Sequence, residues 1–212
     1  MKYLKMLALA AVAAGALMAF IGAGTASATV FCSTTTGNAH CPAAQRWGVQ
    51  PLKMSIPSGS SALLVDTSGE TTLDKCTSST VEGEITNAGS ESSTVTGTVS
   101  SLSWGGCTFP TNTLEATKLE CHWITGTSNC TATADGSFRV TINTIFFGSC
   151  IYGVTSGTSI GDITEGKPGV FHANAVAERF SGSNFACPET SKWTGTYNVT
   201  TPSETTLSVS TG

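Results

Sequence analysis

The chain has 212 residues, with 10 basic and 14 acidic side chains and only 11% charged residues in all. So few cations offer no basic stripe to neutralise phosphates, which argues against nucleic acid as a partner. Eight cysteines make the redox compartment the first question, and the N-terminus bears on it.

Lys2 and Lys5 form a positive start, Met6 to Ile21 an uncharged apolar stretch, and Ala26-Ser27-Ala28 a small-residue cleavage pattern. Residues 1–28 therefore read as a signal-peptide helix that is removed on export. Taking 28 residues from 212 leaves 184, Thr29 to Gly212, as a single secreted β-rich domain. Lys2 and Lys5 leave with the signal, so 8 basic residues face 14 acidic ones, a net charge of −6. Ser and Thr make up about a third of the remaining residues, so hydroxyls rather than charges carry solubility. Beyond the signal no apolar run approaches the ~20 residues that span a bilayer, and no membrane span is expected after cleavage. Phe31 directly before Cys32 does not fit a lipoprotein signal, and Thr200 to Gly212 is polar, so free secretion into the extracellular medium is the expectation.

An even set of cysteines in an oxidising compartment predicts disulfides. Bridging between neighbours is expected: Cys32 with Cys41, Cys76 with Cys107, Cys121 with Cys130, and Cys150 with Cys187. The case for Cys121 and Cys130 rests on a hairpin about Thr125-Gly126-Thr127-Ser128, across which facing residues lie within disulfide reach. No Cys-x-x-Cys and no Cys/His pair at three to five residues is present, so no metal is predicted.

Along the chain, Gly, Ser, Thr and Asn separate short runs with a period of two. Strands are predicted over Ala62 to Val65, Leu73 to Thr77, Glu82 to Thr86, Val95 to Trp104, Lys118 to Trp123, Cys130 to Ala134, Phe138 to Asn143, Lys192 to Val199 and Thr205 to Val209. In Phe138 to Asn143, Phe138, Val140 and Ile142 would face a core and Arg139, Thr141 and Asn143 water. His172 to Arg179, with three alanines among polar residues, leans towards a helix or an edge strand. Many short strands with a turn signal about every ten residues predict an all-β fold, an antiparallel β-sandwich or sandwich-like barrel with several disulfides. Val95 to Phe109 and Phe138 to Tyr152 echo each other at an offset of 43, both reading as a long strand ending in aromatic-Gly-x-Cys.

The early cysteine pair, Cys76-Thr-Ser-Ser-Thr-Val-Glu-Gly, the Trp104-Gly-Gly-Cys-Thr turn and Phe185-Ala-Cys-Pro-Glu-Thr-Ser-Lys-Trp-Thr-Gly-Thr-Tyr, behind such a signal, resemble uncharacterised exported proteins of actinobacterial type. The resemblance implies no activity and no site residues.

Two patterns suggest chemistry. Gly157-Thr-Ser159-Ile-Gly161 matches a nucleophile elbow, with Asp162 and His172 following in the order of α/β-hydrolases. However, Gly161 is followed by Asp-Ile-Thr-Glu-Gly-Lys-Pro-Gly, which reads as turn rather than the supporting helix, and no βαβ alternation is present. Gly161 to Lys167 copies part of a phosphate loop, but Pro168 replaces the magnesium-binding hydroxyl. Glu82 and Glu84 would share one strand face and could bind a cation or act as an acid/base pair, against the commoner case of two carboxylates on a solvated strand. His40, His122 and His172 are widely spread. The aromatics Trp47, Trp104, Trp123, Trp193, Phe109, Phe146, Phe147, Tyr152 and Tyr197 would mostly pack a core, with a small-molecule or carbohydrate surface as the rival reading.

The sequence thus predicts a non-catalytic binding or structural protein outside the cell, with no catalytic, cofactor-binding or metal-ligating residues. The alternatives are a hydrolase centred on Ser159 or on Glu82 and Glu84, and an adhesive or assembly module marked by an exposed apolar patch or an open edge strand.

Overall fold

The computed structural model describes residues 29–33, 41–67, 71–87, 89, 95–113, 118–123, 129–135, 138–164, 166–203 and 205–211, with backbone only at 29, 112–135 and 210–211. The signal segment 1–28, His40 and the turn at Thr125 to Ser128 lie outside them. The strands in chain order are β1 (Thr29–Cys32), β2 (Gln50–Ser55), β3 (Ala62–Asp66), β4 (Thr72–Asn87), β5 (Val95–Cys107), β6 (Thr111–Thr113) and β7 (Lys118–Trp123). They continue as β8 (Asn129–Asp135), β9 (Phe138–Thr144), β10 (Gly148–Val154), β11 (Ser159–Thr164), β12 (Val170–Arg179), β13 (Thr190–Thr200) and β14 (Ser208–Thr211).

Every pairing is antiparallel, and the pairings close on themselves. β4 pairs with β5, β5 with β7, β7 with β8, β8 with β11, β11 with β12, and β12 with β13. β13 returns to β4 through two short strands, β2 and β3, each bonded to both. This closure makes the sheet a barrel and removes edges that would otherwise invite association. A flap of β10, β9 and β6 continues from the last rungs of β12, where Tyr152 faces Arg179 and Gly153 faces Glu178. β1 and β14 form a separate two-stranded ribbon, tied to the barrel side by the Gly166–Val209 bridge. Its Phe31 joins the main core, which runs without a break through β2, β4, β12 and β13 to Val209.

Period two decides what faces inward. On β13, Ser191, Trp193, Tyr197 and Val199 are buried; on β12, Phe171, Ala173, Ala175 and Ala177. The register sets small against large: Ala175 opposite Trp193, and Gly195 opposite Ala173 beside the Tyr197 ring. A Cβ on Gly195 would lie 3.0 Å from that ring, so glycine makes room for it. This corrects the helical or edge reading of His172 to Arg179. Its alanines recur every second residue because they leave space for β13 aromatics, and β12 is paired on both sides. Trp193 sits at the centre of an aromatic cluster, its ring 5.8–6.2 Å from those of Trp104, Phe138, Phe171 and Tyr197.

Other expectations changed in detail. The predicted strands at 73–77 and 82–86 are one strand, β4, whose pairing with β5 shifts register at Glu82/Gly83, where β5 carries the extra residue Ser100, and again at Ile85/Asn87. The echoing segments do not share a structure: Val95 to Cys107 is one continuous strand, whereas Phe138 to Tyr152 folds back on itself as the β9–β10 hairpin. Trp104 to Cys107 is strand rather than turn, and the chain bends at Thr108 and Phe109. β2, containing Pro51, and β11, interrupted by Gly161 and Asp162, were not among the predicted strands.

Three of the four expected disulfides are described: Cys32–Cys41, Cys76–Cys107 and Cys150–Cys187. The side chains of Cys121 and Cys130 lie outside the described ones, but β7 and β8 do form a hairpin ladder, with Cys121 opposite Ala132 and Trp123 opposite Cys130. Among the described residues no helix is long and apolar enough to cross a membrane.

Candidate functional site

The residues proposed for hydrolysis do not assemble. Ser159 opens strand β11 on its exposed side instead of sitting on a strand-to-helix turn, and β11 continues through Asp162 to Thr164. Gly161, with φ near +149, marks a bulge there; a Cβ on it would collide with the His172 carbonyl oxygen. The glycine therefore serves close strand approach rather than a nucleophile. Asp162 and His172 are cross-strand neighbours on the outer face, and His172 Nδ1 is 3.4 Å from Thr196 Oγ1. Ser159 lies three positions along from Asp162, about 10 Å at ~3.3 Å per residue. That distance is beyond the reach at which a base takes a proton.

Glu82 and Glu84 both lie exposed on the outside of β4, as expected, but in no cleft. Ser101 donates to Glu82 Oε2 at 3.4 Å, and Lys53 faces Glu82 across the β2–β4 pair. Asp74, Cys76 and Cys107 form a compact group of metal-ligand type, yet the two sulfurs are spent in a disulfide. Asp74 is almost fully buried and accepts from the backbone N–H groups of Lys75 (2.8 Å) and Phe109 (3.1 Å) and from the Thr111 hydroxyl. Its role is thus to hold the chain after β5 against β4, because a buried carboxylate survives only when its lone pairs are met.

The aromatics pack. Trp193, Tyr152 and Tyr197 are core residues, and Trp47, Trp104, Phe109 and Phe147 lie against them. Burial pushes the Tyr197 hydroxyl up to about 12, partly offset by its hydrogen bond to Ser79 and by Trp193. Burial likewise pushes Tyr152 up to about 12, with Arg179 opposing and Asp66 adding to the shift. Voids of about 30, 40 and 30 Å³ lie along the barrel interior. Each takes a water or a methyl group, against roughly 300–1,000 Å³ for small-molecule sites. Among the described residues the barrel interior is occupied by its own side chains.

The exception is Phe146. With Ile145 it forms the tip of the β9–β10 turn, and both are nearly four-fifths exposed; Phe185, on the loop between β12 and β13, is 92% exposed. The second loop is bonded along β10, which leaves the Ile145–Phe147 turn at Gly148. Cys150–Cys187 links them, Asn184 N–H donates to Ser149 O (2.9 Å), and Phe180 N–H donates to Ile151 O (2.8 Å). The Ser183 hydroxyl both donates to Ile151 O and accepts from Ile151 N–H. These bonds also cover the outer edge of β10. Within each loop the conformation is set locally. The Thr144 hydroxyl accepts from Phe147 N–H (2.8 Å), Gly148 takes φ near +70, and Arg179 Nη1 donates to the carbonyls of Phe185 (2.9 Å) and Cys187 (2.6 Å). Three large apolar side chains thus stand in solvent on a stiff, cross-linked base.

Sequence reasoning named Phe146 among aromatics that would pack a core or line a small-molecule or carbohydrate surface, and it did not single out Ile145 or Phe185. A signal was present: Ile145-Phe146-Phe147 breaks the alternation of β9, and consecutive apolar residues at a turn cannot all face inward. Comparison with family models, curated proteins and solved structures returns no match for this chain. The site's chemistry therefore rests on its own geometry.

Proposed function

We propose that the protein is exported, cleaved after Ala28, and acts outside the cell as a non-catalytic adhesive protein that binds through the Ile145, Phe146 and Phe185 tip. The supporting observation is the exposure of three large apolar side chains on two loops that a disulfide and seven hydrogen bonds hold in place. Leaving such groups in water costs free energy, and a rigid mount lowers the entropy lost when they bind. The signal sequence, the disulfides and the filled barrel fit a durable extracellular scaffold. The resemblance to exported proteins of actinobacterial type is in keeping with this.

The test is partition of the purified, oxidised chain Thr29–Gly212 between buffer and the envelope fraction of the producing cells. The wild type is expected to associate with the envelope and I145S/F146S/F185S to stay in the buffer. Equal partition of the two proteins would refute the reading.

A further inference from the structure

We propose that the tip is a lipid-surface anchor, with Ile145, Phe146 and Phe185 inserting into the interfacial region of a bilayer of zwitterionic or uncharged lipid. This rests on reading the tip as the adhesive site and names the chemistry of its partner.

Charge distribution is the first argument. The mature chain carries a net charge of −6, yet no charged residue occurs from Val140 to Gly161 or from Phe180 to Pro188, the two segments that build the tip. Arg179, at the base of the second loop, is engaged with the carbonyls of Phe185 and Cys187. Bringing an uncharged tip against a lipid surface desolvates no ion, and the acidic remainder of the molecule disfavours anionic headgroups. Shape and area supply the second argument. Ile145, Phe146 and Phe185 project into solvent rather than line a groove, and two phenylalanines and an isoleucine offer about 500 Å² in all. A stable protein complex buries ~800 Å² on each partner. A second copy meeting it tip to tip would fall short of that, whereas a fluid bilayer receives any convex apolar group and needs no complementary groove. The third argument is the flank. On the second loop the exposed side chains before Phe185 are those of Ser181 and Asn184, a hydroxyl and an amide rather than charged groups. This arrangement of aromatic anchors with polar neighbours suits the headgroup boundary.

The experiment is flotation of the oxidised chain Thr29–Gly212 with phosphatidylcholine vesicles, and with vesicles in which part of the phosphatidylcholine is replaced by phosphatidylglycerol. Binding is expected to phosphatidylcholine, weaker to the mixed vesicles, and retained in high salt because it is apolar rather than ionic. F146S and F185S should each lower the partition coefficient about tenfold. Both positions are exposed, so an unchanged urea midpoint shows that the variants remain folded. F146W should show a blue-shifted emission component, quenched by lipids brominated in the upper acyl chain. Equal flotation of wild type and F146S/F185S would overturn the proposal, as would preference for phosphatidylglycerol abolished by salt, or a wild-type dimer that ignores vesicles. If vesicles are not bound while lipid-extracted envelope still captures the wild type but not the triple variant, the adhesive reading stands and the lipid assignment falls.

Discussion

Trp193→Ala tests whether the barrel interior is a packed core or a chamber awaiting a ligand. Trp193 is 6% exposed and touches four other aromatic rings. Its indole buries on the order of 200 Å², worth about 5 kcal/mol at ~25 cal/mol per Å². Residual burial in the unfolded chain reduces this by about a third. The cavity left behind works the other way, because Ala175 across the ladder is too small to fill it. The expected loss is about 3–5 kcal/mol, or roughly 10 °C in Tm for a chain of this size. Urea denaturation with the disulfides intact measures it, with the midpoint and slope fitted together. Should the alanine variant not fold, Trp193→Phe is the second point, with a smaller loss expected. Phe146→Ser is the contrasting control: its side chain is 78% exposed, and the change should fall within about 0.5 kcal/mol. A Trp193→Ala loss under about 1 kcal/mol would refute the reasoning, since it would mean that the interior around the indole is already open to solvent.

Three further outcomes follow from the same packing. Asp74→Ala removes the acceptor of two backbone N–H groups and one hydroxyl in a buried site, and a loss of about 3 kcal/mol is expected, with Asp74→Asn retaining part of it; equal effects of the two variants in urea melts would contradict the hydrogen-bonding account. Tyr152 and Tyr197 both have folded-state values raised from 10.0 to about 12. Because the folded state holds these protons more tightly, the associated stability is whole below pH 10 and disappears as pH rises to about 12, on the order of 2–3 kcal/mol for Tyr197 and less for Tyr152, which is nearer solvent. In the chain Thr29–Gly212 these are the two tyrosines, and absorbance at 295 nm should show no tyrosinate near pH 10 until the protein unfolds; ordinary titration in the folded state would disprove it. Replacing Cys150 and Cys187 by Ser opens a 37-residue link and should cost about 4 kcal/mol, against about 2.5 for Cys32 and Cys41, which are 9 apart; reversal of that order in denaturant melts would argue against loop closure as the source.

The alternation of β9 and β13 was legible because burial with period two requires it: Phe138, Val140 and Ile142 point inward as their spacing says. The neighbour bridges at Cys32, Cys76 and Cys150 were legible for a related reason, since hairpin-like connections bring residues close in sequence close in space. β12 was not. Three alanines at a spacing of two have weak preference for any structure, and only Trp193 and Tyr197 on the adjoining strand give them meaning. The tip was hidden likewise, because Ile145-Phe146-Phe147 reads as core until the turn shows which way two of the three face.

Taken alone, the amino-acid order determined that the chain is built of antiparallel strands with one apolar and one hydroxyl-rich face, bridged by sulfur. Which strands lie side by side, that the sheet closes through β2 and β3, and that an uncharged apolar tip is left in solvent were decided by the tertiary structure. The physical reason is that side-chain periodicity specifies the face of a strand but not its neighbour. Ladder hydrogen bonds join backbone groups that are alike at nearly every residue, so pairing is selected by the fit of side chains across the closed barrel.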